Sequence, residues 1–225
     1  GNGETRARVL WTFDSGTEAC DYLAVGEELT ISYLIRGSDD SGAANDSGNQ
    51  LVSVIIAGSN DKPEISVEIG DSVTASLLET GSEISATGSL ALADIDEGDM
   101  VGVSVTGLTV TGDITDPAAP DLATLHAMLH LPGVAVLDAT EQSDSFNWAF
   151  ASGAETFAYL ITGQELILTY EITADDGRGL SNSTDTQEVE IKITGTNTAP
   201  DITVETGDSA TAVGDEKSTG VVASG

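Results

Sequence analysis

Short runs in which apolar and polar residues alternate recur along the chain, separated by clusters of Gly, Asp, Asn and Ser. The clearest are SLALA around Leu90, VGVSVTGLTV from Val101, LILTYEIT from Leu166 and VEIKIT from Val189. A period of two sends alternate side chains to one face, and these runs are rich in β-branched and aromatic residues. They therefore predict half-buried strands bounded by turns. One stretch has a different period. PDLATLHAMLHLPG repeats Leu122, Leu125, Met128 and Leu129 at helical spacing, with Asp121 placed to cap its start and Pro132-Gly133 to stop it. One short helix near 121–131 is predicted on an otherwise all-β fold, a sandwich of two sheets.

The pattern repeats at an offset of 137 residues. WTFDSGTEACDYLAVGEELTISYLI from Trp11 matches WAFASGAETFAYLITGQELILTYEI from Trp148, and QLVSVIIAGSNDKPEISVEIGDSVTA from Gln50 matches QEVEIKITGTNTAPDITVETGDSATA from Gln187. The offset runs through positions 11 to 75 without a gap. Such a repeat divides the chain into the back part of one unit (1–62), a complete unit (63–199) and the opening of a third (200–225). The expectation is a segment of a longer array, in which residues 1–62 lack early strands and expose apolar edges. Trp11/Trp148, Phe13/Phe150, Tyr22/Tyr159, Leu29/Leu166 and Tyr33/Tyr170 recur at this spacing and are expected in the core. Cys20 stands where the second copy has Phe157, so it is expected to be a small buried hydrophobe rather than a reactive thiol.

Charge changes the picture. Seven Lys and Arg against 38 Asp and Glu leave a net charge of −31 on 225 residues. That excludes the basic face a nucleic acid needs. The 40% hydrophobic content is too high for a solvated acidic tail, so the chain folds. No run of apolar residues is long enough to span a membrane. One Cys and two His are too few for a structural zinc site, so any metal must be held by oxygen. Two explanations of the acidity compete: divalent cations held at clusters, or a surface adapted to high salt.

The clusters are local. ADIDEGD packs Asp94, Asp96, Glu97 and Asp99 into seven residues, which repel one another unless a cation sits among them. The plainer reading is a solvated turn. The spacing is not that of an EF-hand, whose closing Glu is missing. Two further groups are SNDKP, with Asn60 and Asp61, and DDGRG, with Asp175 and Asp176, matched in the first unit by Asp39-Asp40. A short linker stiffened by Pro63 could carry its oxygens to the loops of the next sandwich, and a cation held there would join two domains.

The succession ETGSEISATGSLALADIDEGD, WAFASGAETFAYLITGQELILTYEITADDG and VEIKITGTNTAPDI resembles the VCBS repeat of bacterial surface and RTX-type adhesins, which is similar in fold to cadherin-like modules. The resemblance covers essentially the whole chain. It implies an immunoglobulin/cadherin-like Greek-key β-sandwich in tandem, calcium (Ca²⁺) at the junctions, type I secretion to an extracellular or cell-surface location, and a stalk or ligand-presenting role. Carried over by position, Asn60 and Asp61 resemble linker ligands, and Asp94 and Asp96 the paired Asp motif of the following domain. Asp176, with Asp175 beside it, resembles the late loop Asp. Glu79 resembles the early Glu facing the opposite linker, which contains Asn197. Thr198 replaces the linker Asp there, so that second junction is expected to bind more weakly.

Other readings give less. His126 and His130 are spaced i, i+4, but residue 127 is Ala and no third ligand is evident, so a surface role is expected. Gly70-Asp71-Ser72 resembles a hydrolase turn, yet it recurs as Gly207-Asp208-Ser209 without a placed His, so it is read as structural. The sequons at Asn45 and Asn182 align between copies and are read as loop residues. The expectation is a non-enzymatic, calcium-stiffened extender whose partners are neighbouring repeats. The alternatives are a module binding a host glycan or protein, and a salt-adapted spacer without specific metal.

Overall fold

Two strands with buried alternate residues build the centre of the molecule, seen here in a computed structural model that describes residues 8–39, 42, 44, 47–197, 199, 202–204, 206 and 211. In β9 (Glu165–Asp175), Leu166, Leu168, Tyr170, Ile172 and Ala174 are fully buried, and in β10 (Thr184–Thr194) so are Val189, Ile191 and Ile193. These two pair antiparallel along their whole length. Flanking them are β6 (Gly102–Gly112), antiparallel to β9, and β4 (Thr74–Leu78), parallel to β10. The facing sheet has the order β3 (Glu64–Ser66), β5 (Ser85–Ala93), β8 (Ser143–Ala151) and β7 (Leu129–His130). The sandwich thus starts with β3 in one sheet, crosses to β4, which lies parallel to the last strand β10 in the other, and closes in a Greek-key arrangement of immunoglobulin/cadherin-like order.

Close packing fixes the two layers. A Cβ on Gly88 would lie 2.5 Å from the Trp148 ring, so that position is kept bare to admit the indole. Trp148 is fully buried and its Nε1 donates to the Ser72 carbonyl at 2.8 Å. The helix α1 spans only Leu122–His126, shorter than the helical spacing predicts. Asp121 caps it as expected, accepting from the Thr124 amide at 2.7 Å. It stops early because Leu129 and His130 pair with Phe150 and Ala149 of β8, and strand pairing there buries Met128 and Leu129 on the core without a further helical turn. Tyr170 Oη donates to the Leu125 carbonyl at 2.7 Å and ties the helix to the core.

Before the sandwich, β1 (Glu28–Ser38) and β2 (Ser47–Ala57) form a separate antiparallel pair. Here the expected core is corrected. Trp11 is 53% exposed and Tyr33 47%, while their counterparts Trp148 and Tyr170 are fully buried; Phe13 and Leu29 are half-buried. No second sheet covers this pair among the described residues. Cys20 is buried as expected. Asp40, the sequon residues Asn45 and Asp46, Thr198 and the second Gly-Asp-Ser lie outside the described residues.

The repeat nevertheless has a physical counterpart in its turns. Cys20 and Phe157, 137 residues apart, both take positive φ, 58° and 57°. Leu23 N–H donates to the Cys20 carbonyl at 3.2 Å as Leu160 N–H does to Phe157 at 3.0 Å. A Cβ on Gly58 would meet the carbonyls of Leu23 and Ala24 at 2.3 Å, and one on Gly195 would meet those of Leu160 and Ile161 at 2.5 and 2.4 Å.

Candidate metal centre

The linker after β2 and two loops of the sandwich converge on one pole. The first loop leaves β5 as Asp94–Asp99. Its Asp96 N–H donates to Asp94 Oδ1 at 3.1 Å, and Gly98 supplies the positive φ, 88°, that turns the chain back to Asp99. The second leaves β9 at Asp176, whose N–H donates to the Ser183 carbonyl at 3.1 Å; the positive φ of Gly177 and Gly179 shapes its return. The linker is stapled between them. Asn60 Nδ2 donates to Asp176 Oδ2 at 2.9 Å, to the Asn182 carbonyl at 3.1 Å and to the Asp61 carbonyl at 2.8 Å. The Asn182 amide donates back to the Asn60 carbonyl, and Asp61 N–H donates to Asp96 Oδ2 at 2.8 Å. Lys62 and the Ile65 amide both bind Asp185, which anchors the linker to β10.

Asp94, Asp96, Asp99, Asp176 and Asn60 are all buried. One carboxylate oxygen from each of Asp94, Asp96 and Asp99 lies within 4.8 Å of the others. Two ligands on opposite sides of an ion with calcium–oxygen distances of about 2.4 Å are separated by about that span. Four buried oxygens at this pole have no hydrogen-bond donor: Asn60 Oδ1, Asp94 Oδ2, Asp96 Oδ1 and Asp99 Oδ2. A buried polar atom without a partner costs about 1–3 kcal/mol, more when charged, and four together demand a positive group. Burial is the main cause that pushes Asp94 up to about 6, with Asp99, Asp96 and Asp176 adding repulsion. Burial also raises Asp96, helped by Asp61 and Asp99. An all-oxygen donor set of carboxylates and one amide carbonyl fits a hard divalent cation, and calcium's loose geometry best.

Most of the predicted site residues meet here, and some do not. Asn60, Asp94, Asp96, Asp99 and Asp176 come together, while Asp61 contributes its backbone N–H and a nearby charge. Asp175 is exposed, and its Oδ1 accepts from Gly177 N–H at 2.8 Å, so alternation along β9 turns it away from its neighbour. Glu79 and Asn197 lie at the other pole, about 33 Å away along the eleven residues of β10. Glu79 is buried there but already satisfied, by the Gly81 amide at 2.5 Å and the Thr196 hydroxyl at 3.0 Å. Asn197 is exposed. His126 is half-buried and His130 exposed, and neither belongs to a metal-holding group among the described residues.

Two participants were not read as site residues from sequence: Arg178 was passed over, and Asn182 was read only as a loop residue. Arg178 donates through Nε to Asp99 Oδ1 at 2.9 Å and through Nη2 to the same oxygen. Asn182 locks the linker. The signal for Arg178 was its place in DDGRG, one of only seven basic residues in the chain.

No protein-family model matches the sequence, and no curated protein matches it significantly. Among solved structures, the chain is similar to the ASH/PapD-like domain 7 of human CEP192, at TM-score 0.36 and 9% identity over 60% of this chain and 86% of that one. It is also similar to the cadherin-like domains 1 to 4 of zebrafish RET, at TM-score 0.32 and 7% identity over 76% of this chain and 34% of that one. The chain therefore spans about a third of the RET structure. The immunoglobulin/cadherin-like assignment rests on the strand order described above. No helix among the described residues is long and apolar enough to cross a membrane.

Proposed function

We propose that the chain is a non-enzymatic, calcium-stiffened repeat of a secreted or cell-surface bacterial adhesin or biofilm protein, acting as a stalk between neighbouring units. The observation that carries this reading is the set of four buried oxygens without donors, contributed by the linker of one repeat and the loops of the next. Bound calcium would be held by Asn60, Asp94, Asp96 and Asp99, and would supply the charge that lets linker and loops be buried together. Without it the loop carboxylates repel one another, and Asp61 of the linker adds its charge against Asp96. The Tyr22 carbonyl of the preceding unit already accepts from Glu97 N–H at 3.0 Å, so the metal loop is also the loop that touches the neighbour. Closing it therefore fixes the angle between units. At the roughly 10⁻⁴–10⁻³ M affinities of extracellular modules, the joint would stiffen outside the cell and stay loose where calcium is scarce. The VCBS resemblance, type I export and the adhesin context belong to the same proposal.

A thermal melt in 1 mM EDTA, then in 5 mM CaCl₂, with 5 mM MgCl₂ at matched ionic strength as control, tests it. A calcium-specific rise of about 10 °C, worth a few kcal/mol for a chain of this size, is expected. Identical melts in all three would make the acidity a salt adaptation and leave stiffness to packing alone.

A further inference from the structure

The acidic pole contains a positive group of its own. Of the three ion pairs among the described residues, only Arg178–Asp99 reaches the cluster. The two ends of that pair differ. The Asp99 side chain is fully buried, whereas Arg178 is 34% exposed and approaches from the solvent side. Two guanidinium nitrogens, Nε and Nη2, bind the same oxygen, Asp99 Oδ1, and leave Oδ2 buried and without a donor. Arg178 therefore does not fill the centre. It compensates one carboxylate from outside and leaves that carboxylate's second oxygen buried without a donor, in a residue grouped with Asp94 and Asp96. Its main chain is pinned independently, because Arg178 N–H donates to Asp176 Oδ1 at 2.8 Å. The head can leave Asp99 while the loop stays in place.

We propose that Arg178 is a built-in counter-cation of this centre, neutralising Asp99 when no metal is bound and lowering the affinity for calcium when one is. The inference rests on the calcium reading above and adds to it what sets the affinity. Four buried carboxylates, Asp94, Asp96, Asp99 and Asp176, face a single cation, the partly exposed Arg178. Removing that positive charge leaves the metal-free pole more repulsive and the metal-bound pole more attractive, since like charges a few ångströms apart in a partly desolvated site interact strongly. A purely structural arginine predicts the opposite, because losing it would loosen the loop and weaken binding. The direction of the affinity change separates the two roles.

The test is calorimetric titration of the full chain with CaCl₂, in the wild type, R178Q and R178K, paired with melts in EDTA. R178Q is expected to bind calcium about tenfold tighter or more and to melt lower without metal. R178K keeps the charge but not the planar fork, and is expected to bind within about threefold of wild type. If R178Q does not fold without metal, its calcium release into excess chelator is measured from the loaded protein, where at least a tenfold slower rate is expected. Equal or weaker binding, or an equal or faster release, in R178Q while the wild type binds calcium overturns the role of Arg178 and leaves the metal centre standing. Absence of binding in all three proteins overturns the calcium reading itself, and this inference with it.

Discussion

The same sequence motif has two fates in this molecule. Trp148 is enclosed between two sheets, held by a hydrogen bond to Ser72 and given room by Gly88, whereas Trp11 lies half open beside Tyr33 on a two-stranded ribbon. The turns that follow the two tryptophans are nearly superposable in their chemistry. Both use a left-handed non-glycine residue, Cys20 or Phe157, and both press a glycine, Gly58 or Gly195, against a pair of carbonyls. Turn geometry is decided by residues within one local neighbourhood, so it survives wherever the motif occurs. Burial is decided by the strands that arrive from elsewhere in the chain, here β4, β5 and β6, and only the second copy has them.

The sharpest way to break that comparison is to delete the two tryptophans in turn. Trp148→Ala should cost about 3–5 kcal/mol, the usual loss for a large enclosed side chain, and lower the melting temperature by about 10 °C or more. Trp11→Ala should stay within about 0.5 kcal/mol. Similar losses from both, measured by thermal melts in the same buffer, would mean that the ribbon is covered in solution and that the contrast is not intrinsic to the fold.

The two linkers that end the copies form the next comparison. Asn60 is buried against Asp176, and its neighbour Asp61 donates to Asp96, while Asn197 is exposed and no acidic cluster meets it among the described residues. Asp94→Ala combined with Asp96→Ala should abolish the calcium-dependent gain of about 10 °C and change little in EDTA. Glu79→Gln, at the pole whose hydrogen bonds are already made, should lower both melts by the same few degrees. Equal losses with and without calcium in the Asp94/Asp96 variant would remove the metal from the account.

This contrast also marks what could be read from the sequence. Alternation located β5, β6, β9 and β10, because side-chain period is a property of the strand itself, and the repeat carried the last two over to β1 and β2. Helical spacing overextended α1, since the pairing of Leu129 with Phe150 comes from residues far along the chain. The repeat placed Trp11 and Tyr33 in a core, because identity of sequence says nothing about which layer is present. Within the site, the clustered Asp94, Asp96 and Asp99 were legible as a group, and Asn60 through its linker position. Asp175 was grouped with Asp176, although strand alternation sends adjacent residues to opposite faces. Arg178 stood in plain sight but gained meaning only once folding set it on Asp99, 79 residues away.

A smaller effect at the acidic pole depends on pH. Burial raises Asp94 to about 6, well above the ordinary aspartate value near 3.8, so in metal-free protein the folded state holds a proton that the unfolded chain has released between those two values. Stability of the metal-free fold should therefore rise as pH falls from 7 toward 5, by a few degrees in the melt, and level off below about 4. Calcium reverses the sign, because it competes with that proton: the gain from 5 mM CaCl₂ should shrink as pH drops through 6. Acidification also relieves the general repulsion of a chain carrying −31, so the comparison must be made against Asp94→Asn. That variant has nothing to titrate at the position and should lose the extra slope in EDTA. If its profile matches the wild type's, the slope comes from the overall charge and not from the buried carboxyl of Asp94.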